Sequence, residues 1–102
     1  MNWRVVVRPD AEDDVVEAAS WYENRGEGLG VRFSEEVIAV FDALVISPLL
    51  HCRRHPSKNI RWRYPESFPY RVIYEVIEDK ETVVVGAVLH AARHDREWQR
   101  RF

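Results

Sequence analysis

The chain has 102 residues, 46% of them hydrophobic and 31% charged, with a net charge of −2. That is one domain with one core, and a composition far from the disordered class. No apolar run approaches the roughly 20 residues that cross a bilayer, and the lone cysteine, Cys52, excludes an internal disulfide, so a reducing, cytoplasmic setting without a membrane partner is expected.

Met1 leads directly into a strand pattern, without the apolar stretch of a signal peptide. From Trp3 to Arg8, Trp3, Val5 and Val7 alternate with Arg4, Val6 and Arg8. Pro9 is expected to end this strand, and Asp10, with Asp13 three residues on, to cap a first helix running to about Arg25. Ala11, Val15, Ala18 and Tyr22 make its apolar stripe, widened by Trp21, and Glu12, Asp13, Asp14 and Glu17 put acid in its first turns. Gly26-Glu27-Gly28-Leu29-Gly30 has no strand before it, so it reads as a tight helix–helix turn and not as a phosphate loop. A second helix carries Leu29, Phe33, Val37, Val40, Phe41 and Leu44 at helical spacing and stops at Ser47-Pro48.

Beyond Pro48 the chain is irregular to Asn59. In Ile60-Arg61-Trp62-Arg63-Tyr64, period two sets Ile60, Trp62 and Tyr64 on one side and Arg61 and Arg63 on the other. Tyr70 to Ile77 and Thr82 to Leu89 read as strands joined by a hairpin turn at Glu78-Asp79-Lys80-Glu81, and His94 to Phe102 as a short helix or an ordered tail. The order β-α-α-β-β-β predicts one α+β domain over residues 1–102. Its sheet should be largely antiparallel, covered on one face by the helical hairpin and open or partly covered by the tail on the other.

Charge divides along the chain. Residues 1–50 carry ten acids against four arginines, a net of −6, whereas residues 51–102 carry eleven Arg/Lys against seven acids, a net of +4, with all four histidines. Such a basic half can hold an anionic partner. His51, Cys52 and His55 are a weak zinc pattern, because Pro48 and Pro56 oppose the helix that would align them. No dinucleotide fingerprint, P-loop or nucleophile elbow occurs, so neither metal nor cofactor is expected.

Ala11-Glu12-Asp13-Asp14, Trp21-Tyr22, Gly28-Leu29-Gly30 with Arg32-Phe33 and Glu36-Val37 form an ordered series. Phe68-Pro69-Tyr70-Arg71-Val72-Ile73-Tyr74 and Ala87-Val88-Leu89-His90 with Arg93 and Trp98 complete it. Taken together, the series resembles the ParE/RelE superfamily of toxins from bacterial type II toxin–antitoxin pairs, closer to the ParE-like branch. The resemblance implies the RelE/ParE fold and a toxin that inhibits DNA gyrase by protein contact. It also implies a small DNA-binding antitoxin partner that wraps the toxin, with the complex repressing its own promoter and the toxin touching DNA only through the antitoxin. The RelE-like branch implies an alternative, a ribosome-dependent messenger RNA endonuclease whose partners are the ribosome and mRNA. A toxin decayed to a binding protein is a third reading. The tail, Trp98 to Phe102, lacks the tyrosine that RelE-like members often carry there, and the net charge of −2 is unlike their strongly basic character.

For the ribonuclease reading, Arg71 would neutralise phosphate with help from Arg61 and Arg63, Glu75 or Glu66 would act as base, and His90 as acid. The bland alternatives are an ion pair for Arg71, with Glu75 or an acid of the C-terminal segment, and a structural or solvated His90. For contact with target or antitoxin, the candidates are Arg71, His90, Arg93, Trp98, Arg100 and Arg101. Apolar residues on strands beside a basic stretch suit a partner segment bringing apolar anchors and acids.

Overall fold

A computed structural model describes residues 2–102. Strand β1 is Arg4–Val7, one residue shorter at each end than the alternation suggested. Pro9 does not stand between strand and helix but opens helix α1, Pro9–Glu23; the N-cap position falls on Arg8, not Asp10, which lies within the first turn. Physically, proline at the first helical position forgoes only an N–H that has no intrahelical acceptor, and its φ is already helical. The tight turn is present as expected. Gly28 caps helix α2, Leu29–Ile46, with φ of 84°, a left-handed conformation in which a side chain is disfavoured. The carboxylate of Glu23, the last residue of α1, accepts the N–H groups of Gly28 and Gly30, each at 3.0 Å. One side chain therefore ends one helix and caps the next, and these bonds hold its pKa below the usual carboxylate range.

Strands β2 (Ile60–Arg63), β3 (Tyr70–Ile77) and β4 (Thr82–His90) form the antiparallel meander, with a 3-10 turn at Glu78–Lys80 between the last two. β1 joins it parallel to β4, Arg4 opposite Thr82 and Val7 opposite Val85, so the sheet order is β1-β4-β3-β2. A four-residue helix α3, Arg96–Gln99, lies in the C-terminal segment.

The hairpin covers one sheet face. Phe33, Val37, Val40 and Leu44, stepping by four, three and four, are all buried against Val72, Tyr74, Val76, Val83 and Val85. Tyr22, Phe33, Phe68 and Tyr70 form an aromatic cluster with ring centroids 4.7 to 6.0 Å apart. Tyr74 is fully buried, donates its hydroxyl to the Pro48 carbonyl at 2.9 Å, and burial pushes its pKa up. The second face carries a smaller core of Ile60, Ile73, Ala87, Leu89 and Trp98, flanked by Trp62 and Phe102. That face is not left open: the C-terminal segment covers it.

β4 contains an irregularity that period-two reading did not anticipate. Ile73 pairs with Ala87 and Tyr74 with Val85, leaving Gly86 as an extra residue, a β-bulge. Before it, Val83 and Val85 face the hairpin; after it, Val88 does, and Ala87 and Leu89 face the C-terminal segment. A Cβ on Gly86 would stand 2.5 Å from Cζ of Phe102, so the bulge is also where the C-terminal ring packs against bare backbone.

Candidate functional site

The bulge decides which candidate residues meet. In β3, Arg71, Ile73 and Glu75 alternate away from the hairpin, since Ile73 belongs to the second core while Val72 and Tyr74 belong to the first. Unbroken alternation from Val83 would put His90 on the Arg71 side. The extra residue reverses this: His90 pairs with Tyr70, their rings 5.3 Å apart, on the hairpin side. Arg61 and Arg63 lie opposite Tyr74 and Val72 and share that side, while Trp62 shares the other with Ile73. The arginine, base and acid of the ribonuclease grouping are thus divided between two faces. Glu75 shares Arg71's face but stands four strand residues away, about 13 Å at the usual rise, and Glu66 is exposed in the β2–β3 connection.

Arg71 has the ion-pair environment foreseen with the C-terminal segment. Its Nη1 donates to Asp95 at 2.9 Å, and its guanidinium lies 4.5 Å over the Trp62 ring. Burial opposes its charge, but the Tyr64 and Asp95 side chains outweigh that and raise its pKa further. Its Nε is buried without a hydrogen-bond partner among the described residues. Arg54 stacks on the same indole at 4.7 Å, a contact that no periodicity signals. Arg61 is structural: its guanidinium donates to Asn59 and to the carbonyls of Leu49 and His51, at 2.9, 3.0 and 2.5 Å. Burial, then the charges of Arg63 and Arg54, lower the pKa of His51 and favour its neutral form.

A second candidate region is a groove of about 360 Å³ between α1 and the end of β4, walled by Trp21, Tyr22 and Tyr70 with Glu17, His90 and Arg93 at its polar rim. Asp14 forms its base. It accepts the Val88 N–H at 2.9 Å and a two-pronged bond from Arg101, at 2.6 and 3.2 Å. Asp14 thus does more than add acid to the helix start. Its position three residues after Ala11 and four before Ala18 places it on the apolar stripe, where an acid signals a specific partner.

The tail candidates differ in exposure. Arg93 pairs with Glu97 at 2.7 Å and is half-exposed, Arg100 is exposed, and Arg101 turns inward to Asp14 and to the Gly86 carbonyl at 3.2 Å. Trp98, named as a contact residue, is 3% exposed and packs edge-on to Trp62; it is a core residue here, because the segment that carries it lies on the sheet. Most of the large exposed apolar side chains, Tyr64 beside β2 apart, lie elsewhere than expected. Val16, Val31, Ile38 and Ile46 line the outer surfaces of the helices, and Leu49 and Leu50 follow them. Among the described residues no group of three His, Cys, Asp or Glu side chains gathers as a metal site, and no helix is long and apolar enough to cross a membrane.

Comparison with known proteins follows this geometry. The chain is similar in fold to a double arginine-to-alanine mutant of the Escherichia coli toxin RelE in its free state, with a TM-score of 0.70, 18% identity, and 99% of this chain and 94% of that one covered. A chain of the chromosomal ParDE system of Pseudomonas aeruginosa aligns with a TM-score of 0.72 at 11% identity, over 86% and 95%. The RelBE2 toxin–antitoxin complex of Mycobacterium tuberculosis aligns at 0.60 and 19%, over 91% and 95%. No curated protein matches the sequence. The family model for the ParE toxin of the type II toxin–antitoxin system parDE matches residues 5–95, and the chain therefore belongs to the ParE toxin family.

Proposed function

We propose that this chain is a cytoplasmic toxin that inhibits DNA gyrase through protein–protein contact and is neutralised by a cognate antitoxin. The observation that carries the reading is the division made by the Gly86 bulge, which leaves Arg71 and His90 on opposite sheet faces. A cation, a base and an acid around one phosphate are what RNA cleavage needs, and a protein that acts by occupying its target needs no such convergence. Membership of the ParE family supports the same reading. The decisive experiment is supercoiling by purified gyrase with stoichiometric toxin: inhibition is expected, and full activity would overturn the assignment. In cells, induction without antitoxin should stop growth, with filamentation and DNA-damage signalling.

The antitoxin reading draws on the surface. The apolar helix positions and the aromatic groove, with His90 and Arg93 at its rim, suit an apolar partner segment, and the acids of α1 and the exposed Arg100 supply charges of both signs. DNA enters only through that partner. Co-expression with the product of an adjacent short reading frame should restore growth and yield a complex on pull-down. Neither rescue nor binding would sink this part.

One observation favours the messenger RNA endonuclease as a second reading. Arg54 and Arg71 both stack on Trp62 beside Tyr64, a basic and aromatic surface of the kind that holds single-stranded RNA. On that reading Arg71 is the phosphate-neutralising group, and Arg71→Ala should abolish the appearance of new transcript ends on induction. Unchanged transcript ends with the unsubstituted toxin would remove it.

A further inference from the structure

β2 is an outer strand of the sheet, and its free edge is only partly used. The Asn59 carbonyl accepts the Val76 N–H at 2.9 Å, so Asn59, Arg61 and Arg63 turn their peptide groups toward β3, while those of Ile60 and Trp62 point off the sheet. The chain fills the first outward position itself: the Arg54 N–H reaches the Ile60 carbonyl at 2.7 Å. Trp62, the next outward position, has no such backbone partner among the described residues. An edge of this kind is a template for one more strand.

Cations flank that edge on both faces. Arg63 points to the hairpin side, and Arg54 lies on the other, over the Trp62 ring. Neither is in an ion pair among the described residues, nor is the exposed Arg53; Glu66, the nearest carboxylate in sequence to Arg63, pairs with none of them. Nη1 of Arg63 is buried without an acceptor among the described residues. The Asp95 carboxylate is already held by Arg71. This local excess of positive charge sits in a chain whose net charge is −2. It rejects a second copy, because pairing two such edges would set arginine against arginine. RNA lying on the Trp62 face would reach Arg54 and Arg71 but leave Arg63 on the far side of the sheet. A strand laid along the edge reaches both sides. Its side chains alternate between faces, so carboxylates at two successive positions meet Arg63 and Arg54.

We propose that the β2 edge is a docking site for an extended acidic segment of a partner protein, which pairs with the Trp62 peptide groups and sets successive carboxylates on Arg63 and Arg54. Main-chain bonds fix the segment's direction and register, and its alternating side chains supply specificity. The groove beside α1 and the outer helix surfaces lie elsewhere, so this site is additional to the surfaces proposed above for the antitoxin.

Titration of the whole chain with a capped synthetic octapeptide of paired glutamates and valines, followed by amide chemical shifts and hydrogen exchange, tests this. The peptide should bind, should slow exchange of the Trp62 amide, and should weaken as salt is added. Its glutamine counterpart has the same backbone without the charge and should bind roughly tenfold less tightly. Arg63→Gln and Arg54→Gln should each weaken the glutamate peptide about threefold. Where Arg63→Gln fails to fold, Arg54→Gln, at an exposed position, carries the test. The proposal would be overturned by an unchanged Trp62 amide, by equal affinity for the two peptides, or by a single-stranded oligouridylate that binds this edge when the peptide does not.

Discussion

The two sheet faces are closed by different means. On one, helices of 15 and 18 residues lay a continuous apolar stripe over the strands. On the other, the segment after β4, with a helix of only four residues, does the covering with two aromatic side chains and a set of polar pins: Arg71–Asp95, Arg101–Asp14, Arg8–Arg101 and Lys58–Phe102. Apolar area accumulates with length and is indifferent to detail, whereas a short segment buries too little to hold itself and depends on directed bonds. The first face should therefore fail cooperatively, with the whole domain. The second should fail locally.

Substitutions can break that comparison. Phe33→Ala, in the middle of the hairpin core, should cost about 3–5 kcal/mol, measured as a shift in the global denaturation midpoint with all regions unfolding together. Trp98→Ala removes a side chain of greater volume, yet its cost should stop at about 2 kcal/mol, because the segment detaches before the domain unfolds. Hydrogen exchange should show residues 91–102 losing protection with α1 and α2 intact. If Trp98→Ala matched Phe33→Ala in size and extent, the two faces would not be distinct. Asp14→Asn strips the charge from the Arg101 pair and weakens the cap on Val88, for about 1.5 kcal/mol, again read in the segment and not in the helices. Gly86→Ala should cost about 1 kcal/mol: the added methyl displaces the Phe102 ring, and a crystal structure should find that ring moved while the bulge is kept.

The smallest effect belongs to the hairpin's own polar device. Glu23 has a lowered pKa because the Gly28 and Gly30 N–H groups favour its charged form. The stability it contributes is complete above the ordinary carboxylate range and is lost as pH falls through the lowered folded value. Glu23→Gln should be slightly the less stable protein near neutrality, and urea denaturation from about pH 6 to about pH 3 should show the difference closing. A gap that persisted at the acid end would mean that the carboxylate's charge is not what matters.

Much of this was legible in the chain. Helical spacing located both helices and the glycine turn, and alternation located the strands, because these signals follow from burying one stripe or one face. The resemblance of Phe68 to Tyr74 and Ala87 to His90 reached the family that the match over residues 5–95 shows. What escaped was whatever depends on one residue's exception to a period. Pro9 reads equally as a strand stop and a helix start. Gly86 looks like one more small residue in an apolar run, yet it decides on which side His90 stands, and so changes the meaning of the candidate site. The stack of Arg54 and Arg71 on Trp62 joins residues from three parts of the chain and leaves no local trace.

The parallel pairing of β1 with β4 has a consequence for how the protein is made. β4 lies between β1 and β3, and it is the last of these four strands to be synthesised. The helical hairpin is complete once Ile46 has been added, but β4, one of the two inner strands it must pack against, begins only at Thr82. At about 5–20 residues per second, the ribosome takes roughly two to seven seconds to cover that interval. Throughout it the apolar stripe of Phe33, Val37, Val40 and Leu44 lacks the part of the sheet face that Val83 and Val85 supply. Completion of the fold thereby waits on β4: a truncated or stalled product lacking it carries the helices and at most the β2–β3 pair, without the strand that joins β1 to β3.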